Sequence, residues 1–327
     1  MENEKERIIT PFLSVKDLVV EYTSEGEVIH AVNGVSFALQ RGRTLGLAGE
    51  TGAGKTTIAK SILRILPDYS ATIKSGEIMV EGQDLLKLPV KEMQKIRGNK
   101  IAMIFQDPMT ALNPVLTVGK QIAEAIRLHY GVSKKEADKR TIEMLEMVGI
   151  TGERFSEYPH QFSGGMKQRV VIAMALACRP ELILADEPTT ALDVTIQMQV
   201  LEMIKNLRNE FNTAMILITH DFGIVAEVCD DVAVVYAGEI VESGSKEDIF
   251  IRPSHPYTQG LFASIPRIDS DTKRLNPIVG MPPSPVNLPQ GCHFSPRCPR
   301  ATDECRGEPI AMKELTPGHF CRCFRVE

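Results

Sequence analysis

Apolar residues fall at near-alternate positions in LSVKDLVVEY (Leu13 to Tyr22) and in VSFAL (Val35 to Leu39), the period of strands with one covered face. TLGLAG (Thr44 to Gly49) is a short continuous apolar run that ends in glycine. After Lys55 the period changes, with Ile58, Ile62 and Ile65 at helical intervals until Pro67 stops the pattern. A strand, a glycine-rich loop and a helix therefore follow in order. Further short apolar runs, IAMIF (Ile101 to Phe105), ELILAD (Glu181 to Asp186), AMILIT (Ala214 to Thr219) and VAVVY (Val232 to Tyr236), are separated by stretches of helical period. Near-continuous apolar strands alternating with helices predict a mostly parallel sheet covered on both faces. The expected class is α/β, with an antiparallel start.

Between Thr117 and Ala177 the strand pattern disappears. TVGKQIAEAIRLHY, KKEADKRTIEMLEMVG and the stretch after Gly164 are all of helical period, which predicts a helical subdomain over about 117–178 inserted into the sheet domain. From Ile265 the composition shifts, and NPIVGMPPSPVNLPQG (Asn276 to Gly291) is rich in proline without periodicity. The expected division is one domain over 1–250 and an extension over 251–327. That extension holds a linker or extended wrap and a small cysteine-bearing appendage.

At 327 residues and 43% hydrophobic content the chain can bury a large core. Its 37 basic and 42 acidic residues give a net charge of −5 with no long basic run, so nucleic acid is not an expected partner. The longest apolar runs, such as VVIAMALA (Val170 to Ala177), fall short of the roughly 18 residues of a spanning helix, so a membrane role would come through partners. The beginning, MENEKERIIT, has no apolar core or cleavage site of a secretory signal, and a cytoplasmic location is expected.

In that compartment the placing of five of the seven cysteines, Cys292, Cys298, Cys305, Cys321 and Cys323, in the last 36 residues suits metal binding or thiol chemistry better than disulfides. Four thiolates fit a tetrahedral zinc or an iron–sulfur cluster equally by count. The long, uneven spacings favour the cluster over a zinc ribbon, with unligated thiols as the alternative. Cys178 and Cys229 lie in helical patterns and are expected to be buried structural thiols.

GETGAGKTT comprises Gly49, Glu50, Thr51, Gly52, Ala53, Gly54, Lys55, Thr56 and Thr57, placed between a strand and a helix. Glycines let backbone N–H groups turn onto a phosphate, and the helix N-terminus adds positive potential. Lys55 can reach the outer phosphates and Thr56 can ligate magnesium. LILADEP puts Asp186 and Glu187 directly after an apolar strand. Asp186 suits the magnesium shell, and Glu187 suits a general base or water-orienting group. An isolated Asp-Glu pair is more commonly a helix cap, but one downstream of a phosphate loop favours the catalytic reading.

Together with Gln106 in IFQDP, the stretches FSGGMKQRV (Phe162 to Val170), TTALDV (Thr189 to Val194) and LITHD (Leu217 to Asp221) resemble the ATP-binding subunit of an ABC transporter. The resemblance covers about Leu13 to Phe250. It implies a head-to-tail dimer in which Ser163, Gly164 and Gly165 touch the γ-phosphate of the partner's ATP. It also implies that His220 contacts the γ-phosphate and that Gln106 senses it, joins the magnesium site and meets the membrane subunits. Asp193 would couple the two sites across the dimer, and Tyr22 would stack on adenine. One departure is visible, because Phe162 and Met166 flank the Ser163 to Gly165 core where the family more often has Leu and Gln.

RPSHPYTQGLFASIP (Arg252 to Pro266) resembles the HPYT element of ATPases in the oligopeptide, dipeptide and nickel uptake group, and also reads as a helix opened by His255 and Pro256. GCHFSPRCPRATDEC and TPGHFCRCF resemble the cysteine-bearing tails of that group, some members of which carry an iron–sulfur cluster. A [4Fe-4S] cluster on Cys292, Cys298, Cys305 and Cys323 is the expectation this resemblance implies, with Cys321 as the alternative fourth ligand. The implied function is that of a peripheral subunit on the cytoplasmic face of the membrane, using ATP and Mg2+ to energise dipeptide or oligopeptide uptake. The implied partners are a second homologous ATPase, two transmembrane permease subunits and, indirectly, an external substrate-binding protein. Uptake of nickel or another small solute, and a soluble ABC ATPase without a channel, are the alternatives.

Overall fold

The computed structural model describes residues 10–189, 192–264 and 277–326. Its strands are β1 (Leu13–Ser24), β2 (Glu27–Leu39), β3 (Thr44–Ala48), β4 (Ala71–Val80), β5 (Gln83–Asp84), β6 (Ile101–Ile104), β7 (Leu182–Asp186), β8 (Ala214–Thr219), β9 (Asp231–Tyr236), β10 (Glu239–Ser245), β11 (Lys313–Thr316) and β12 (His319–Cys321). A small antiparallel sheet has the order β2-β1-β4-β5. The main sheet has the order β11-β12-β10-β9-β3-β8-β7-β6, and its five strands from β9 to β6 run parallel.

The central strands are buried along their whole length, which explains why their sequences are unbroken apolar runs. The strand period of two then sends alternate residues to opposite cores. Leu182 and Leu184 join Leu45, Leu47, Ile58 and Ile62 beneath the small sheet. Ile183 and Ala185 join the opposite core, with Val170, Ile172 and Leu201 from the helices. The segment between β6 and β7 is helical as expected, with helices Val118–Tyr130, Lys134–Met147 and Gly164–Leu176. Among the described residues no helix is long and apolar enough to cross a membrane.

The cysteine-bearing end is less separate than the sequence led us to expect. β12 pairs antiparallel with β10, at Glu242 with Cys321 and Ser243 with Phe320, so the extension contributes two strands to the main sheet. The periodicity of three- and four-residue strands is too short to be legible. The proline-rich stretch is described from Pro277 onward; its beginning at Asn276, and the composition change from Ile265, lie outside the described residues.

Glu242 pins this junction. Its fully buried carboxylate accepts the backbone N–H groups of Ser254 (2.7 Å) and His255 (3.0 Å) and faces the buried His319 ring, 2.9 Å from Nε2. His255 in turn caps the helix Pro256–Ala263, its Nδ1 accepting from the Tyr257 N–H at 3.1 Å. The HPYT element is thus a helix start, as its residues suggested, buried in the seam between sheet and extension.

Burial pushes the His255 imidazole down to about 3 from its ordinary 6.5. The folded protein therefore keeps this ring neutral where the unfolded chain takes up a proton, so its contribution is complete above about pH 6.5 and is lost as the pH falls toward 3. In that window wild type should lose up to about 1.4 kcal/mol per pH unit more than His255→Asn, which keeps a capping acceptor without the titration. Urea unfolding of both proteins across the window is the measurement, and parallel pH profiles would contradict it.

Candidate functional site

β3 delivers the chain into the glycine-rich loop, and two of its glycines are required by close approach. A Cβ on Gly49 (φ 150°) would lie 2.1 Å from the Val235 carbonyl oxygen, and one on Gly54 (φ 102°) 2.4 Å from that of Ala31. The loop therefore closes against β9 on one side and β2 on the other before the helix Lys55–Leu63 begins. Lys55 Nζ donates to the carbonyls of Gly49 (2.8 Å) and Glu50 (2.9 Å). Burial lowers its pKa, opposed by the carboxylates of Glu187, Asp186 and Glu50.

A cavity of about 440 Å³ opens over this loop, lined by Glu50 through Thr57 together with Gln106 and Glu187. Thr56 Oγ1 donates to Asp186 Oδ1 at 3.0 Å, so the two proposed magnesium ligands from loop and strand end are adjacent. Burial raises the Asp186 pKa, and the Thr56 hydroxyl works against that rise.

Glu187 follows β7 at φ 46°, a left-handed conformation that costs a non-glycine residue about 1 kcal/mol or more. Its carboxylate receives Gln106 Nε2 at 2.8 Å on one oxygen and lies 2.9 Å from His220 Nδ1 on the other. Three residues that lie on separate stretches of the sequence thus meet on one carboxylate beside the phosphate loop.

The remaining candidates lie elsewhere. Ser163 Oγ accepts from the Met166 N–H and caps the helix Gly164–Leu176, and Asp193 Oδ1 accepts from the Ile196 N–H and caps Val194–Phe211. Ser163, Gly164, Gly165 and Asp193 are not in the wall of this cavity. Thr190 and Ala191 of the TTALDV stretch lie outside the described residues. Tyr22 has its hydroxyl 3.4 Å from Thr57 Oγ1, but the cavity wall on that side is made by Ile29, His30 and Ala31 of β2.

Two residues of the extension, Arg297 and Tyr257, bind it to the phosphate loop at Glu50. Arg297, buried between Cys292 and Cys298 in sequence, places Nη1 2.8 Å and Nη2 3.1 Å from the two oxygens of Glu50, a bidentate pair. The pair raises the Arg297 pKa further. Glu50 also donates its backbone N–H to the Tyr257 hydroxyl at 2.9 Å. Pro282, Pro283, Pro285 and Leu288 complete the cavity wall. The HPYT motif was the one available signal for Tyr257. Nothing in the local pattern marks Arg297 or the prolines.

Cys292, Cys298, Cys305 and Cys323 line a second, small cavity, from whose wall Cys321 is absent. Backbone amides of Phe294, Arg300 and Arg325 hydrogen-bond to the sulfurs of Cys292, Cys298 and Cys323, a contact that favours thiolate. Burial works the other way, pushing Cys292 up to about 11 and raising Cys298 and Cys323. Among the described residues no three His, Cys, Asp or Glu side chains converge as a single metal ion would need. Cys321 is fully buried on β12. Cys178 and Cys229 are buried in the core, as expected of structural thiols.

A strand-loop-helix phosphate cradle, paired acids at the end of a strand two places away in the same sheet and a helical insertion between them define an ABC-type ATPase domain. Residues 32–190 match the ABC transporter family, and residues 241–305 match the family described as oligopeptide/dipeptide transporter, C-terminal region. The chain is 53% identical over 314 residues to the dipeptide transport ATP-binding protein DppD of Bacillus subtilis, covering 95% of this chain and 94% of that protein. It is 46% identical over 315 residues to the oligopeptide transport ATP-binding protein OppD of Escherichia coli, covering 96% and 93%. An ATP-binding cassette solved as a dimer in a post-hydrolysis state with ADP and Pi superposes with a TM-score of 0.65 at 28% identity, covering 72% of this chain and 98% of that one. The chain belongs to the family of ATP-binding subunits of dipeptide and oligopeptide ABC transporters.

Replacing Arg297 with Met should leave the Glu50 carboxylate without its buried partner and destabilise the fold by roughly 2 kcal/mol. Arg297→Lys, which keeps the charge but not the fork, should recover only part of that loss. Urea midpoints of the three proteins test this, and equal midpoints for wild type and Arg297→Met would contradict it.

Proposed function

We propose that this chain hydrolyses ATP at the cytoplasmic face of the membrane and thereby energises the uptake of dipeptides or oligopeptides through a pair of permease subunits. The observation that carries this reading is the Glu187 carboxylate held between Gln106 and His220 beside the phosphate loop. Glu187 orients the attacking water and takes its proton as the bond from that water to the γ-phosphorus forms and the β,γ-bridging bond breaks. Gln106 and His220 hold the carboxylate in place and contact the γ-phosphate, while Lys55 moves from the loop carbonyls to the outer phosphates. Thr56, Asp186 and Gln106 would hold magnesium through their oxygen donors, and the ion bound there would supply charge neutralisation on the phosphates.

Ser163, Gly164 and Gly165 stand at a helix start outside their own chain's cavity, which supports their use on a partner's nucleotide. A second homologous ATPase, different in sequence from this one, is the partner we assign. We assign to Asp193 the coupling of the two sites across the dimer and to Tyr22 the stacking on adenine. An external binding protein selects the peptide.

For the extension we propose a [4Fe-4S] cluster on Cys292, Cys298, Cys305 and Cys323. Support comes from the donor set: four thiols around one cavity, three of them with backbone amides on sulfur. A tetrahedral zinc requires sulfurs only about 3.8 Å apart around one ion, given Zn–S bonds of about 2.3 Å. The cysteine spacings, longer and less even than those of a zinc ribbon, favour the cluster over that ion.

Glu187→Gln in the assembled transporter should retain ATP binding and lose about 100-fold or more in phosphate release. A normal rate in that variant would refute the assigned mechanism. Anaerobic purification should give about four irons per chain with matching sulfide. Cys323→Ser should lose the iron while Cys321→Ser keeps it. One zinc per chain, or iron lost only from Cys321→Ser, would overturn the ligand assignment.

A further inference from the structure

The cavity over the phosphate loop has two chemically different ends. Its inner end is the loop itself, from Glu50 to Thr57, with Lys55 and the helix start. Its outer wall is mostly apolar, made by Ile29, His30 and Ala31 on β2 together with Pro282, Pro283, Pro285 and Leu288 of the extension beside them. An anion seated on the loop would leave whatever it is attached to against this wall. Proline rings and a leucine side chain present flat or compact apolar surface, and prolines have no N–H to read a hydrogen-bond pattern.

The proline wall is held in place by the fold. The His30 N–H donates to the Pro285 carbonyl at 2.9 Å, which ties the segment to β2. A turn closes between Ser284 and Asn287, the Asn287 N–H reaching the Ser284 carbonyl at 3.1 Å. Arg297, a few residues further on, fixes the extension to the loop through Glu50. A surface assembled and stiffened in this way loses little entropy when a ligand packs on it.

We propose that the extension adds a base-contacting wall to the nucleotide site, beyond the stacking assigned to Tyr22, with the base of a nucleoside triphosphate packed against Pro283 and Leu288 and flanked by Pro282 and Pro285. This rests on the reading of the loop as a nucleotide site and adds to it a part that lies outside the ATPase domain. The wall recognises the base by apolar contact, so it separates nucleotides from bare polyphosphate and discriminates little between purines.

The test compares two probes on the full-length chain, a non-hydrolysable ATP analogue and inorganic tripolyphosphate, each with magnesium, by calorimetric titration. Removing the apolar contacts with Pro283→Ser/Leu288→Ser should weaken the analogue about 10-fold, the scale of losing one buried apolar side chain, and leave tripolyphosphate unchanged. The exposed pair Pro282→Ser/Pro285→Ser, which disturbs no core packing, should move the analogue in the same direction. An unchanged ratio of analogue to tripolyphosphate affinity in both variants would overturn the proposal, whether both probes weaken together or neither does. Wild-type protein that binds neither probe would instead overturn the nucleotide reading of the loop, and the base wall with it.

Discussion

The carbonyl oxygens of Val235 and Ala31 stand where side chains on Gly49 and Gly54 would have to be. This close approach lets the phosphate loop lie flush between β9 and β2, and the positions of the other functional groups follow from it. With the loop so placed, Thr56 reaches Asp186 at the end of β7, and Lys55 is buried against the loop's own carbonyls. The same packing brings β2 beside the loop, so that Ile29, His30 and Ala31 become a wall of the cavity. A larger residue at either glycine would separate layers that the chemistry needs in contact.

Glu187 shows how the sheet brings distant sequence to one point. Gln106 follows β6, Glu187 follows β7 and His220 follows β8, three neighbouring parallel strands whose C-terminal ends lie side by side. Parallel pairing in register makes this convergence a property of the topology. The positive φ at Glu187 aims its carboxylate between the other two side chains, a local cost maintained by the surrounding packing.

The extension belongs to the same mechanical unit. Glu50 is held by Arg297 through its carboxylate and by Tyr257 through its backbone N–H, while Glu242 gathers Ser254, His255 and His319 beneath it. Arg297, which pairs with Glu50 of the phosphate loop, directly precedes Cys298 of the cysteine cavity, so the two sites are joined through neighbouring residues of the extension. That continuity explains why a tail that reads as low in periodicity is so well buried at Phe294, Cys305, Ile310 and Cys323.

The sequence by itself determined what is local or periodic. The apolar runs of β3, β7, β8 and β9, the glycine loop with its helix, and the helical stretch between β6 and β7 all carry their pattern within a few residues, because strand and helix periods are short-range properties. The chemical identity of Lys55, Thr56, Asp186 and Glu187 was legible for the same reason, and the cysteine count singled out the far end of the chain. Tertiary structure decided which groups meet. Pairing of Arg297 with Glu50 spans 247 positions, and that of His319 with Glu242 spans 77. No periodicity encodes such contacts, and strands as short as β11 and β12 have none to display. Whether a proline-rich stretch is a loose linker or one wall of a cavity depends on where the rest of the chain places it, and that is settled only when both sheets have packed.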